Sequence, residues 1–466
     1  MRRRSITLIA VGAVLVIVIG VILYLQYRPE PEVEVAEDPD KVKISRFDKD
    51  LIAEMILENE HGTLRIWRED EEWKVDYPHS VKLKESNVED VAYSFASLYS
   101  EKIVEEEPED IAKYGLEPPL ATARYVLTDG SSREFYLGNK TPAGNTYYLM
   151  AQDDPKVYAV WMNHGSHFQY KLDDLRDKDR GQIDNQQLTY VRIERRGEPP
   201  FEMQHKTSVP EDEVRFTMGS FVVTEPYREP QPIDADNYPE YIQDISAVKI
   251  DEFIDDDPED LSVYGLDPPE AEYIARDAEG GEAHLLFGKK VDDKIYFMEA
   301  GGTSVYTTRD YYTGFLDVNP FFMIDKFAFI VNIEDVDAVR IEGLGGKYVL
   351  RIERKPAEEE GEEPETTYLF NDREVEEKPF KQLYQSIIEP QLDTDYEGRM
   401  AENPEVQIVY TFNKENVSGY RVSFVPYDPD FYALFRGGSS EFLVSREQVQ
   451  NLMKALEDFD KDTGSG

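Results

Sequence analysis

Residue types able to do chemistry are sparse along this chain and seldom spaced for joint work. Two imidazoles stand three residues apart in Asn163-His164-Gly165-Ser166-His167, a spacing that lets a helix turn both toward one metal ion. Gly165 weakens such a helix, and the matching stretch of a later repeat, Tyr312-Thr313-Gly314-Phe315, has no histidine. A solvated turn is the better reading. The run Asp251-Glu252-Phe253-Ile254-Asp255-Asp256-Asp257-Pro258-Glu259-Asp260 gathers seven carboxylates. Calcium takes oxygen ligands, and Asp255, Asp256 and Asp257 are the residues that could supply them. The run lacks the Asp-x-Asp-x-Asp-Gly spacing and bidentate glutamate of a calcium loop, which favours plain solvation. Gly343-Leu344-Gly345-Gly346 has no Lys-Ser/Thr after it and lies between two strand patterns, so it reads as a hairpin turn and not a phosphate loop. Neither Gly-x-Ser-x-Gly nor His-Glu-x-x-His occurs, and the abundant carboxylates cannot be paired into a glycosidase from sequence. No catalytic residue and no cofactor site is assigned, and the expectation is a protein without enzymatic activity.

Composition narrows the partners. Among 466 residues, 96 Asp+Glu against 51 Lys+Arg give a net charge of −45, a surface that repels nucleic acid. Hydrophobic residues make up 40% and aromatic ones 12%, enough to fold. There is no cysteine, which removes disulfides, thiolate zinc sites and cysteine nucleophiles together. The 30 tyrosines sit mostly in strand patterns, where aromatic rings fit; an exposed set of them would make a glycan platform. Asn416-Val417-Ser418 matches a glycosylation sequon, relevant only in a eukaryotic secretory pathway.

The first residues carry an address. Arg2-Arg3-Arg4 precede an uncharged run from Ser5 to Tyr27, long enough to span a bilayer as a helix. The run ends in Val21-Ile22-Leu23-Tyr24-Leu25-Gln26-Tyr27 with no small-residue cleavage site, so an uncleaved anchor is expected. Arginines before it and Glu30, Glu32, Glu34, Glu37 and Asp38 after it place the N-terminus in the cytoplasm and the rest outside. A Pro- and Glu-rich linker follows.

Beyond the linker the chain repeats itself. Pro108-Glu109-Asp110-Ile111-Ala112-Lys113-Tyr114-Gly115-Leu116-Glu117-Pro118-Pro119 recurs 150 residues on, as Pro258-Glu259-Asp260-Leu261-Ser262-Val263-Tyr264-Gly265-Leu266-Asp267-Pro268-Pro269. Each copy reads as one helical turn. Pro108 and Pro258 suit its first position, Gly115 and Gly265 its left-handed close, and Pro119 and Pro269 belong to the extended exit. Tyr114, Leu116, Tyr264 and Leu266 are expected to be buried, making the element a structural joint.

Around the joints lie recurring alternating strands. Ala53–Glu58, Thr189–Glu194 and Ala338–Glu342 open three modules, the last two sharing Val-Arg-Ile-Glu. Third strands are expected at Glu72–Val75, Glu213–Phe216 and Thr367–Phe370. Helical stripes follow at Val88, Val91, Ala92, Phe95 and Leu98; at Tyr238, Tyr241, Ile242, Ile245 and Val248; and at Phe380, Leu383, Tyr384 and Ile387. A four-strand meander completes each module, turning at Asp129-Gly130 in the first. The third module departs at the joint, where Gly398-Arg399-Met400-Ala401-Glu402-Asn403-Pro404 keeps only the final proline. Its strands flank an acidic loop over Glu358–Glu365.

The fold expected is α+β: an N-terminal transmembrane helix (1–28), a linker (29–45) and three tandem modules, each a mainly antiparallel sheet with one or two helices, over 46–182, 183–328 and 329–462. The anchor, the tandem modules, the Tyr114–Pro119 motif and the strand ending Phe135-Tyr136-Leu137-Gly138, echoed at Leu286-Phe287-Gly288, resemble the bacterial domain of unknown function family 4340. That resemblance implies membrane attachment through residues 5–27 and the company of an ABC-type exporter or its auxiliary subunits. An accessory scaffold at the cell membrane is the leading expectation. Capture of a glycan, peptide or cation outside the cell is the alternative.

Overall fold

The computed structural model describes residues 42–214, 217–245, 248–355, 365–396, 398, 402–414 and 419–464. The anchor, the linker up to residue 41, the acidic loop over 356–364 and the sequon lie outside the described residues, as does most of Gly398–Ala401. Among the described residues no helix is long and apolar enough to cross a membrane.

Three nine-stranded antiparallel sheets dominate. The first comprises β1 (Val42–Arg46), β2 (Ile52–Asn59), β3 (Gly62–Glu69), β4 (Glu72–Val75), β5 (Ser97–Glu105), β6 (Ala121–Leu127), β7 (Ser132–Lys140), β8 (Thr146–Ala151) and β9 (Asp154–Trp161), in the order β1-β5-β9-β8-β7-β6-β2-β3-β4. The second comprises β10 (Leu188–Arg195), β11 (Phe201–His205), β12 (Phe221–Glu225), β13 (Gln231–Pro232), β14 (Glu252–Asp255), β15 (Ala271–Asp277), β16 (Glu282–Val291), β17 (Lys294–Glu299) and β18 (Val305–Arg309), in the order β13-β12-β11-β10-β15-β16-β17-β18-β14. The third comprises β19 (Val336–Gly343), β20 (Gly346–Lys355), β21 (Glu365–Phe370), β22 (Arg373–Val375), β23 (Thr394–Asp395), β24 (Val406–Phe412), β25 (Tyr420–Pro426), β26 (Phe431–Arg436) and β27 (Ser439–Ser445), in the order β22-β21-β20-β19-β24-β25-β26-β27-β23.

The same construction recurs. Two meanders meet where the module's opening strand pairs with the strand after the joint position: β2 with β6, β10 with β15, β19 with β24. A helix links the first meander to a strand on the far side of the sheet, the short edge strands β14 and β23 in the second and third sheets and the longer β5, inside β1, in the first. Alternation puts one face inward, as in Ala121, Ala123 and Tyr125 of β6, and the helix Glu85–Ala96 lays Val88, Val91, Ala92 and Phe95 over that face. Phe95 is fully buried, 5.4 Å from Phe168 and 6.3 Å from Tyr125 and Phe135 between ring centres. Truncating it removes about 3–5 kcal/mol of packing.

The structure corrects three expectations about elements. The strand β5, inside the edge strand β1, and the edge strands β14 and β23 are absent from the sequence expectation. Leu98 and Val248 fall beyond their helices, which stop at Ala96 and Ile245. In Ser97-Leu98-Tyr99-Ser100 every second residue is buried, a period of two, and these residues pair with β1 before the strand goes on to pair with β9. The third strand of the second module is Phe221–Glu225, where a β-branched run pairs with β11. Glu213 instead donates its N–H to Pro210 O within a turn.

The chain divides between Asp177 and Lys178 into two compact units. The first holds one sheet and its own core. The second holds the other two sheets, whose buried residues form a single cluster running from Leu188 to Leu456. The second and third modules are therefore one body, joined by packing such as Tyr227 on Phe442 at 5.2 Å.

Candidate functional site

The two joints are built on one plan. A 3-10 turn, Ala112–Tyr114 or Leu261–Tyr264, closes on a left-handed glycine, Gly115 at φ 68° and Gly265 at φ 72°. Asp110 Oδ1 accepts the Ala112 N–H and Asp260 Oδ1 that of Ser262, each at 2.9 Å, so aspartate starts the turn. Pro108 and Pro258 stand outside it, contrary to expectation. Leu116 and Leu266 are buried, while Tyr114 and Tyr264 are half-buried. Each tyrosine hydroxyl donates to the carboxylate nine residues upstream: Tyr114 to Glu105 at 2.5 Å, Tyr264 to Asp255 at 3.1 Å. Each ring packs on a strand tyrosine, Tyr148 at 4.8 Å or Tyr296 at 5.1 Å.

The echoed Leu-Gly and Phe-Gly pairs belong to the same element. A Cβ on Gly138 would lie 2.3 Å from Tyr114 O, and one on Gly288 would lie 2.2 Å from Tyr264 O. The β7–β8 and β16–β17 ladders slip at those glycines, between Leu137 and Lys140 and between Phe287 and Lys290. A bulge with glycine at the point of contact thus admits the joint's backbone.

The acidic run is drawn into this framework. Asp251 pairs with Lys294 at 2.6 Å and Arg309 at 3.1 Å, and both cations hold its carboxyl below the ordinary aspartate range. Asp255 accepts from Tyr264 and from the Asp257 N–H at 3.0 Å, so it serves the joint. Among the described residues no group of three His, Asp or Glu is placed to hold a metal.

The histidine pair is not a solvated turn. His164 and His167 lie on the short helix Met162–His167, both half-buried, with both Nδ1 atoms on Ser94 Oγ at 3.2 and 2.5 Å. One hydroxyl holds one proton, so at least one imidazole donates its Nδ1–H. Burial lowers the pKa of both rings and keeps them neutral. Ser94 is buried at 3% exposure, which makes the cluster a clasp between two helices and no accessible nucleophile.

A cleft of about 570 Å³ opens in the second unit, where the strap Arg228–Pro232 meets Asp325–Ile330 and the β25–β26 end. Arg436 Nη2 donates to Gln231 Oε1 at 2.5 Å, and its guanidinium lies 5.0 Å over Phe442. Gln231 Nε2 donates to Glu229 O at 2.6 Å, and Ser439 Oγ to Glu229 Oε1 at 3.0 Å. Tyr420 stacks on Phe329 at 4.6 Å and 8°. Burial lowers the pKa of Arg436 and pushes Tyr420 up to about 12. It also raises Glu441, against the pull of the Arg228 and Glu229 N–H groups. None of these residues was singled out in the sequence. Arg436 and Gln231 are 205 positions apart, and no local pattern marks either.

The sequence matches the family described as Domain of unknown function (DUF4340) twice, over residues 73–254 and 222–391. Each match begins in the third strand of one module and ends in the next, so the family's repeat is offset from the sheets. No curated protein and no solved structure matches the chain. The two copies together cover well over half of the sequence, and the chain belongs to the DUF4340 family.

Proposed function

We propose that this protein is a non-catalytic scaffold, held at the outer face of the cell membrane by the apolar segment Ser5–Tyr27 and serving a membrane transporter of the ABC type. The observation that carries the reading is repetition. One sheet plan occurs three times, and the feature duplicated most closely, the joint, is made of bracing contacts. A chain that copies a brace has been built for extent and rigidity. The triple arginine and the apolar run support the topology, and the family resemblance supports the transporter. The test is purification of the tagged full-length protein from membranes in mild detergent, with mass spectrometry of what comes with it. Integral-membrane transporter subunits should be enriched over an unrelated single-pass control. Their absence, or full protection of the modules from protease added to spheroplasts, would overturn the proposal.

A further inference from the structure

The cleft of the second unit holds a contradiction in charge. Acidic residues outnumber basic ones 96 to 51, so carboxylates are plentiful, yet Arg436 and Arg228 have none within ion-pair distance among the described residues. Arg436 offers five N–H donors and donates to a single neutral amide; Glu229 and Glu441 act on it only from a distance. Arg436 is half-buried, and its unused donors at the cleft can take a carboxylate in charge-assisted hydrogen bonds. Arg228 adds a second positive charge at the exposed rim.

Carboxylates line the same cleft beside the arginines, Glu229 being the next residue along the strap from Arg228. Glu229 gives one oxygen to Ser439 and keeps further acceptor capacity, and Asp325 lines the same cleft. Glu229 Oε1 and the Tyr420 hydroxyl converge on Gly437: a Cβ built there would lie 3.5 and 3.7 Å from them. The stacked Phe329 and Tyr420 supply an apolar wall. At long range a chain of net charge −45 repels simple anions, but a neutral molecule with separated charges feels no such barrier.

We propose that this cleft binds a small zwitterion of the amino-acid class, a free amino acid or a short unblocked peptide, with its carboxylate on Arg436 and Arg228, its ammonium on Glu229 and Asp325, and an apolar side chain against Phe329 and Tyr420. The proposal stands whether or not a transporter accompanies the protein. Its test is calorimetric titration of the detergent-solubilised full-length chain with apolar amino acids, di- and tripeptides, and their N-acetylated and C-amidated forms. Saturable binding of unblocked ligands is expected, weakened about tenfold or more by either block, since each removes a charge-assisted pair. Comparing free amino acids with peptides identifies the source. Arg228→Ala, at the exposed rim, and Glu229→Gln, which still accepts from Ser439, should each weaken binding about tenfold with the melting curve unchanged. Arg436→Lys should weaken it further, because a point charge cannot reproduce the fork. Equal binding of blocked and unblocked ligands, or no binding at millimolar concentration, would overturn the proposal even if transporter subunits co-purify.

Discussion

The second and third sheets share one core but answer the same position differently. Register aligns Phe287 of β16 with Phe424 of β25, each opposite the first residue of its partner strand, so Gly288 corresponds to Val425. At Gly288 the ladder slips and Tyr264 O comes in against the glycine; at Val425 the β25–β26 ladder runs on without a shift. Val425 is buried with Ala433, Phe435 and Leu443, while around Gly288 the joint residue Leu266 packs with Met298 and Val305. One sheet face can be filled from outside by a looped joint or from within by a strand side chain. The module without the joint has the side chain.

Exchanging those devices should have the largest effect. Gly288→Val gives the second sheet the third sheet's residue without removing the joint, which must then leave. Loss of Leu266 burial and the forced backbone shift should cost about 4–5 kcal/mol. Hydrogen exchange over residues 258–299 of the full chain should accelerate. Unchanged protection would mean that the joint is not held by the glycine.

Leu116→Ala tests the first joint by its buried side chain, with an expected loss of about 3 kcal/mol in chemical denaturation of the first unit. A loss below about 1 kcal/mol would separate the two joints, which the common geometry says should behave alike.

The histidine clasp belongs to the first unit only and predicts a pH response there. Burial lowers the pKa of His164 and His167 in the folded state, so near pH 6 the unfolded chain binds more protons than the folded one. Stability is complete above about pH 6.5, the unperturbed histidine value, and falls as pH drops below it. Denaturation at pH 7.5 and 5.5 should show the loss, and replacing both histidines with glutamine should flatten it. An equal slope in the double variant would assign the response to other groups.

Smaller still is the joint's electrostatic trim. In the first copy Glu105 takes both Tyr114 and Lys113, the latter at 2.8 Å; in the second, valine stands at 263 and Asp255 takes the tyrosine with no lysine beside it. Tyr264→Phe should cost about 1 kcal/mol for the lost hydrogen bond. Lys113→Val, which converts one copy into the other, should leave the unfolding curve where it was, because an exposed pair adds little.

Much of this could be read in one dimension. The duplicated joint, its positive-φ glycines and the alternation of the meanders are short-range patterns, set by backbone sterics and by a period of two or 3.6. The helix Glu377–Ile388 buries Phe380, Leu383, Tyr384 and Ile387, as its spacing implied. The role of Leu137-Gly138 and Phe287-Gly288 was half visible: the repeat was plain, but its reason is a carbonyl arriving from another segment. Tertiary structure decided the rest. The edge strands β14 and β23 are short, and only partners on both sides, β1 and β9, made Ser97–Glu105 a strand and not the tail of a helix. Ser94 meets His167 across 73 residues, and Arg436 meets Gln231 across 205. The common core of the second and third modules arises because two similar apolar faces, each legible alone, bury more surface together. Local propensity acts over a few residues; clasp, core and cleft are long-range contacts, which exist only once the chain has folded back on itself.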